Sequence, residues 1–296
     1  MNRSHTLPAV TGGTALDRVW LSRSLLFVPG SRPDRFAKAV AAGPGLVILD
    51  LEDAVGAADK DAARADVLTW LLEGNLAMVR INPPGSPWYD EDVAMVGEAA
   101  VPVMLPKCEH AGQITDLAAT VGDGVGIVAL IETAAGILSA RDICAVSGVS
   151  RVAFGAADLS AQLGVDPADT TAMLHARSQL VLASAAAGLA GPIDSPTFDL
   201  TDESSWRSDA AHAKRLGFTG KLCIHPRQVA ATEEAFAPAK EELHWAQQVI
   251  DAATATQNAV TTVAGTMVDP PVLERARRLL SQQPDARSDS EPDATT

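Results

Sequence analysis

Eight short apolar runs, interleaved with Ala- and Leu-rich stretches of helical periodicity, constrain this chain more than any other feature. The runs are SLLFVPG (24–30), LVILDLED (46–53), AMVRINP (77–83), VPVMLPK (101–107), GIVALIET (126–133), RVAFGAAD (151–158), LAGPIDSP (189–196) and KLCIHP (221–226). Bulky and β-branched apolar residues without alternation are what a strand buried on both faces requires. Helical patterns fall at about 34–42, 59–73, 90–99, 111–120, 134–146, 171–188 and 203–216, and again at 227–235 and 239–256. Eight β-then-α units predict an α/β fold, a (β/α)8 barrel, with an open doubly wound sheet as the alternative. The seventh strand carries Gly191 and Pro192 inside it, residues that weaken strand pairing.

At 296 residues the chain has room for such a barrel as one large domain with tails. Hydrophobic residues make up 47% and aromatics only 4%, which favours helices packed on a sheet over an aromatic-rich all-β fold. The net charge of −14 opposes adhesion to nucleic acid or anionic membranes. Trp88, Tyr89 and Trp245 are too scattered to form a base-stacking strip. Cys108, Cys144 and Cys223 show neither CxxC nor zinc spacing, so a reducing, cytoplasmic setting is expected. Residues 1–22 lack an apolar leader, and LVLASAAAGLAGPI (180–193) is too short and too broken by Gly and Pro to span a bilayer.

In a barrel of this kind the active site lies at the C-terminal ends of the strands. Charged and polar residues recur there: Glu52 and Asp53 after strand two, Arg80 and Asn82 after three, Lys107 after four, Glu132 after five, Asp158 after six, Asp194 after seven and His225 after eight. Any one of them alone is equally a helix cap or a loop salt bridge. Their recurrence predicts a polar ring over a packed core. Asp50 falls inside its strand, where a hydrogen bond within the barrel is expected.

Glu132 and Asp158 would offer hard oxygen ligands with open positions left over, a set that suits Mg²⁺ or Mn²⁺. No histidine pair at ligand spacing speaks for zinc. Two carboxylates could also serve glycoside chemistry, but aromatic sugar platforms are scarce. The planar fork of Arg80 suits a carboxylate or an enolate. Lys60 and Lys107 both admit a reading as solvated helix-end charges, Lys107 being the better site candidate because it ends a strand. His225 precedes Pro226 and is expected to shape a turn, and the glycines of VGDGVGI (121–127) precede a strand and so mark a turn, not a phosphate loop.

The runs RSLLFVPGSRPDRFAKA, VILDLEDAV followed by KDAAR, VRINP, VMLPKCE, LIETAAGI, FGAADLSAQLG, GFTGKLCIHPRQV and AGTMVDPPV occur in this order over about residues 23–280. Together they closely resemble the HpcH/HpaI aldolase and citrate lyase β-subunit family, in particular its CoA-thioester members. The resemblance implies a TIM barrel with a C-terminal helical lid, Mg²⁺ as cofactor, and a homotrimer or hexamer. Glu132 and Asp158 match metal ligands, with Glu132 also facing substrate, and Arg80 matches a substrate-binding arginine. Phe27, Arg32 and Lys38 match positions that contact the CoA thioester. Glu52 and Asp53 match acidic residues that hold metal-bound water and orient the arginine. Asp269 matches a lid aspartate that closes over a neighbouring subunit's site as acid and base.

The implied division is a tail over 1–22, a barrel over 23–256, a lid segment over 257–282 and a second tail over 283–296. The implied reaction cleaves, or in reverse condenses, a 3-hydroxyacyl-CoA such as malyl-, citramalyl- or citryl-CoA into an acyl-CoA and a 2-oxo acid. Alternatives are a malyl-CoA thioesterase or malate synthase, a CoA-independent 2-oxo acid aldolase, and a non-catalytic β-subunit of a citrate lyase assembly. The stretch SPWYDEDV (86–93) resembles malyl-CoA lyases, whereas the short 160–190 region is more like citrate lyase β-subunits.

Overall fold

The computed structural model describes residues 15–122, 124–255, 261–263 and 265–280. Within them eight parallel strands close into a barrel in sequence order. They are β1 (Ser24–Pro29), β2 (Leu46–Asp50), β3 (Met78–Arg80), β4 (Val103–Leu105), β5 (Ile127–Ile131), β6 (Val149–Phe154), β7 (Ile193–Asp194) and β8 (Gly220–Cys223). The ring is sealed where Leu25 of β1 pairs with Leu222 of β8. A helix α1 (Ala15–Leu21) precedes the barrel, and α2 (Phe36–Ala41), α3 (Lys60–Leu72), α4 (Tyr89–Ala99), α5 (Ala111–Val121), α6 (Ala134–Cys144), α7 (Ala156–Leu163), α8 (Leu174–Ala187), α9 (Glu203–Leu216) and α10 (Arg227–Phe236) follow the strands.

The strands lack a polar face because both faces are covered. Leu25, Leu46, Ile48, Met78, Met104, Val128, Leu130, Ala153, Ile193 and Leu222 pack together inside the barrel. Their neighbours in the chain, among them Leu26, Val47, Leu49, Val79, Val103, Ala129 and Val152, pack outward with the helices. That alternation turns Phe27, Asp50, Arg80 and Glu132 inward, above the apolar layers, because each follows an inward residue by two.

Several boundaries differ from those expected. Strand β6 ends at Phe154, so Asp158 lies in the first turn of α7 and not on a strand end. Strand β7 is two residues long, since Pro192 lacks the N–H a longer pairing would use. Gly191 is needed there: a Cβ would sit 2.7 Å from Gly217 O and Thr219 Cγ2.

Residues 15–21, assigned to a tail by the sequence reading, form α1, whose Val19 is completely buried. A helix of two turns is too short for periodicity to reveal. The remaining positions of both expected tails, 1–14 and 283–296, lie outside the described residues.

The chain divides into two compact units, residues 1–236 and 237–296. The second contains α11 (Lys240–Ala255), the antiparallel hairpin of β9 (Thr261–Val263) and β10 (Thr266–Val268), and α12 (Pro270–Leu280). Ala246 and Val249 of α11 pack with Ala276, Val272 and Leu273 of α12. Arg275 lies 5.0 Å over the Trp245 ring. Helix α11 therefore belongs to this unit, and the expected barrel limit at residue 256 moves to 236. No described helix is long and apolar enough to cross a membrane.

Candidate active site

The register of β2 on β3 places Asp50 directly beside Arg80. The guanidinium donates through Nε to Asp50 Oδ1 at 2.7 Å and through Nη2 to Oδ2 at 2.6 Å, a two-point fork. The same carboxylate accepts the backbone N–H groups of Glu52 at 2.9 Å and Ala54 at 3.3 Å, which shapes the loop after β2. Arg80 also stacks 4.6 Å over the ring of Phe27. Burial disfavours its charge, but Asp50 and Glu52 more than offset that and its pKa is raised.

The β2 loop is held from below by Lys60. Its ammonium donates to the carbonyls of Leu51 at 2.6 Å and Glu52 at 2.8 Å and to Asn82 Oδ1 at 2.7 Å. Asn82 in turn donates its backbone and side-chain N–H groups to Asp92, which also takes the Nε of Arg64 at 2.7 Å. Lys60 is thus a buried anchor and not a solvated helix-end charge. Burial lowers its pKa.

Lys107, just after β4, has a φ of +49°, which is rare for a residue with a Cβ. Its backbone N–H donates to Glu132 Oε1 at 2.8 Å, while its ammonium donates to Glu52 Oε1. The ammonium also stands 3.6 Å from Asp158 Oδ2 and 4.0 Å from Asp53 Oδ1. Glu52 Oε2 is 3.1 Å from Arg80 Nη1 but lacks a hydrogen bond of good geometry although buried. Burial raises the Glu52 pKa against the pull of Arg80 and Lys107. Glu132 is pushed up to about 8, by burial first and then by Glu52 and Asp158. Gly155 makes room for it, since a Cβ there would lie 2.5 Å from Glu132 Cβ and 2.6 Å from its Oε2.

The mouth therefore gathers Phe27, Glu52, Asp53, Arg80, Glu132 and Asp158, with Asp50 and Lys107 among them. Of the other residues singled out in the sequence, Arg32, Lys38, Asp194 and His225 lie apart from it. Arg32 forms an exposed pair with Asp34 at 2.8 Å, and Lys38 is exposed on α2. Asp194 leaves the ring altogether: it points outward from β7 and is buried between Arg177 at 2.9 Å and Lys221 at 3.1 Å. His225 accepts the Arg227 N–H at 3.1 Å, a turn-shaping contact. Asp269, in the second unit, caps α12 by accepting the Val272 N–H at 3.0 Å.

The orientation of Arg80, which the sequence reading gave to Glu52 and Asp53, falls chiefly to Asp50. Glu52 contributes at 3.1 Å, and Asp53 stands off at 3.9 Å. The inward phase of Ile48 and Met78 was the signal that could have found this pair.

Five carboxylates, Asp50, Glu52, Asp53, Glu132 and Asp158, face two cations, Arg80 and Lys107. Among the described residues no three acidic, His or Cys side chains are gathered as a ready metal cage. A dication that keeps water or substrate oxygens needs only one or two carboxylates, a donor set that Glu132 and Asp158 could supply. The acidic surplus, with Glu132 already resisting ionisation, fits such an ion. Chemically the site can hold a hard cation on one side and present the Nη1 edge of a fixed guanidinium, the edge not engaged by Asp50, to an oxyanion on the other.

A model of the HpcH/HpaI aldolase/citrate lyase family matches residues 23–226. A citrate lyase subunit beta-like protein of Mycobacterium tuberculosis is 38% identical over 271 residues, covering 89% of this chain and 96% of its own. The L-malyl-CoA/beta-methylmalyl-CoA lyase of Cereibacter sphaeroides is 30% identical over 301 residues, covering 88% and 94%. Among solved structures, CitE from Mycobacterium tuberculosis in complex with magnesium, acetoacetate and coenzyme A superposes with a TM-score of 0.74 at 35% identity, over 88% of this chain and 98% of that one.

Proposed function

The chain belongs to the HpcH/HpaI aldolase/citrate lyase family, and from that premise we propose that it is a Mg²⁺-dependent carbon–carbon lyase. Its substrate on this reading is a 3-hydroxyacyl-CoA such as malyl-, citramalyl- or citryl-CoA, split into an acyl-CoA and a 2-oxo acid or formed from them. The observation that carries the reading is the Arg80–Asp50 fork, joined through Glu52 to the Glu132–Lys107–Asp158 cluster. A magnesium complex with coenzyme A in one relative, and malyl-CoA chemistry in the name of another, support it.

Glu132 and Asp158 would hold the metal, which when bound supplies a Lewis acid for the substrate's hydroxyl and carboxylate oxygens. Glu52 and Asp53 would hold water beside it. As the substrate's hydroxyl gives its proton to a base and the carbon–carbon bond breaks, the carbonyl of the 2-oxo acid would form and negative charge would grow on the thioester oxygen of the departing acyl-CoA enolate. Arg80 would meet that oxygen, and because Asp50 already fixes the guanidinium, little reorganisation is spent at the moment of reaction. Phe27, under Arg80, would shield the thioester from water, and the exposed Arg32 and Lys38 would meet the phosphates of CoA. Asp269 of a neighbouring copy would give a proton to the enolate carbon, or remove it in the reverse direction. That step requires an oligomer, a trimer or hexamer, with each site shared between copies.

The deciding experiment is a mass-resolved screen of malyl-, methylmalyl-, citramalyl-, citryl- and hydroxymethylglutaryl-CoA with Mg²⁺ and with chelator. Mg²⁺-dependent release of an acyl-CoA and a 2-oxo acid is the expected result. Free CoA in place of acyl-CoA would make it a thioesterase or a synthase, and no turnover of any free acyl-CoA would favour a subunit that works only in an assembly. Mixing Asp269→Ala with Glu132→Ala protein should restore part of the activity; exchange of subunits without recovery would remove Asp269 from the site.

A further inference from the structure

Of the described residues other than glycine, only Ala100 and Lys107 have a positive φ. Ala100 closes the C-terminus of α4, a position where that conformation is common. Lys107 ends no helix, and its conformation serves the site instead. It aims the backbone N–H at Glu132 and the side chain at Glu52, so that one residue holds two carboxylates of the ring. The ammonium also reaches Asp158 at 3.6 Å and Asp53 at 4.0 Å.

A cation so placed draws on the same negative charge that a bound metal would use. Two positive charges drawing on Asp158 repel one another at that spacing, so the ammonium cannot stay 3.6 Å from Asp158 Oδ2 without weakening the metal. It has somewhere to go, because the Lys107 side chain is 38% exposed on a flexible four-carbon stem. Arg80 has no such freedom, being locked by Asp50 and buried.

We propose that Lys107 is a built-in counter-cation of the metal site. Its ammonium neutralises Glu52 and Asp158 when no metal is present, and it withdraws from Asp158 as Mg²⁺ enters. The inference rests on the reading of Glu132 and Asp158 as metal ligands and adds a regulating residue to it. Lys107 thereby holds Mg²⁺ affinity down and keeps the carboxylates from driving each other apart in the metal-free protein. Its backbone N–H, which any residue but proline supplies, keeps Glu132 in place throughout.

The test separates side chain from backbone. Lys107→Met retains the N–H to Glu132 and removes only the ammonium. Calorimetric titration with Mg²⁺ should show the variant binding the ion about tenfold more tightly than the wild type. Thermal unfolding without metal should show it melting several degrees lower, with a larger rise on adding Mg²⁺. A variant that folds only when Mg²⁺ is present supports the proposal in the same way. If it fails to fold under both conditions, Lys107→Gln takes its place and must show the same tightening. Mg²⁺ affinity that is unchanged or weaker in the folded variant overturns the proposal and leaves Lys107 as an ordinary partner of Glu52. Absence of Mg²⁺ binding by the wild type overturns the metal reading, and the proposal with it.

Discussion

The barrel buries charge at both ends, and it does so in opposite ways. At the floor the guanidinium of Arg151, with no exposed surface, donates to the carbonyls of Gly191 at 2.8 Å, Val19 at 3.1 Å and Ser22 at 2.7 Å and to Thr219 Oγ1 at 2.7 Å. None of these partners is a carboxylate. Neutral dipoles take four of the five guanidinium N–H donors, although burial still lowers its pKa to about 9. At the mouth the balance is reversed: carboxylates outnumber cations, one oxygen of Glu52 lacks a hydrogen bond, and Glu132 resists ionisation. The floor is finished on folding, whereas the mouth is left with a demand that something else must meet. Such unmet demand marks a functional end, and satisfied burial a structural one.

Four substitutions would break or sharpen this contrast. The largest effect is expected at the floor, where Arg151→Met strands the Val19 and Ser22 carbonyls, Gly191 keeping the Thr219 hydroxyl, and should cost roughly 3–5 kcal/mol of folding stability. Denaturant unfolding measures it, and a loss under about 1 kcal/mol would show that water replaces the guanidinium freely. At the mouth, Arg80→Lys should lower kcat/KM by about a hundredfold or more while shifting Tm by only a few degrees, because an ammonium cannot reproduce the fork. Retention of most activity would reduce Arg80 to a point charge.

Gly155→Ala comes next. It pushes the Glu132 side chain aside and should weaken Mg²⁺ binding about tenfold, about 1.4 kcal/mol, read by calorimetry. The last contrast concerns pH. The Glu132 pKa, raised by burial to about 8 from an ordinary 4.5, favours the folded state fully below 4.5, and that contribution is lost as pH rises through 8. Glu132→Gln has no charge to bury, so without metal it should be the more stable protein at pH 9 and lose most of that advantage by pH 5. Parallel stability curves for the two proteins would remove Glu132 from the strained half of the contrast.

The barrel was legible because strands covered on both sides must be apolar along their whole length, and each of the eight runs overlaps one of its strands, although β6 and β8 begin one or two residues before their runs. Their ends were read long. Glu52, Lys107 and Glu132 continue each run in sequence although the pairing has stopped. Asp194 shows where that reading fails: a strand of two residues has no period from which to tell inward from outward. Asp50 is the reverse case, an inward residue whose alternation with Ile48 was available but whose partner across the register was not. Lys60 and Lys107 were identical in type and both followed the second or fourth strand by position. Only packing shows that one anchors a loop from beneath and the other stands among the acids. Helix α11 carries the same apolar pattern as the barrel helices, and its assignment to the second unit depends on packing with α12, which starts at Pro270 and which no local signal in α11 announces.

Arg151 also imposes an order on synthesis. The carbonyls it gathers come from residues 19 and 22 at one extreme and its remaining partners from residues 191 and 219 at the other. On a ribosome adding ~5–20 residues per second, the first of these groups is made roughly 10–40 s before the last. Through that interval α1 has no floor to lie against, and β1 presents an unpaired edge until β8 emerges. The nascent chain must therefore be kept from pairing with its neighbours by the half-formed helices around it or by a chaperone, and the last strand is the one that releases it.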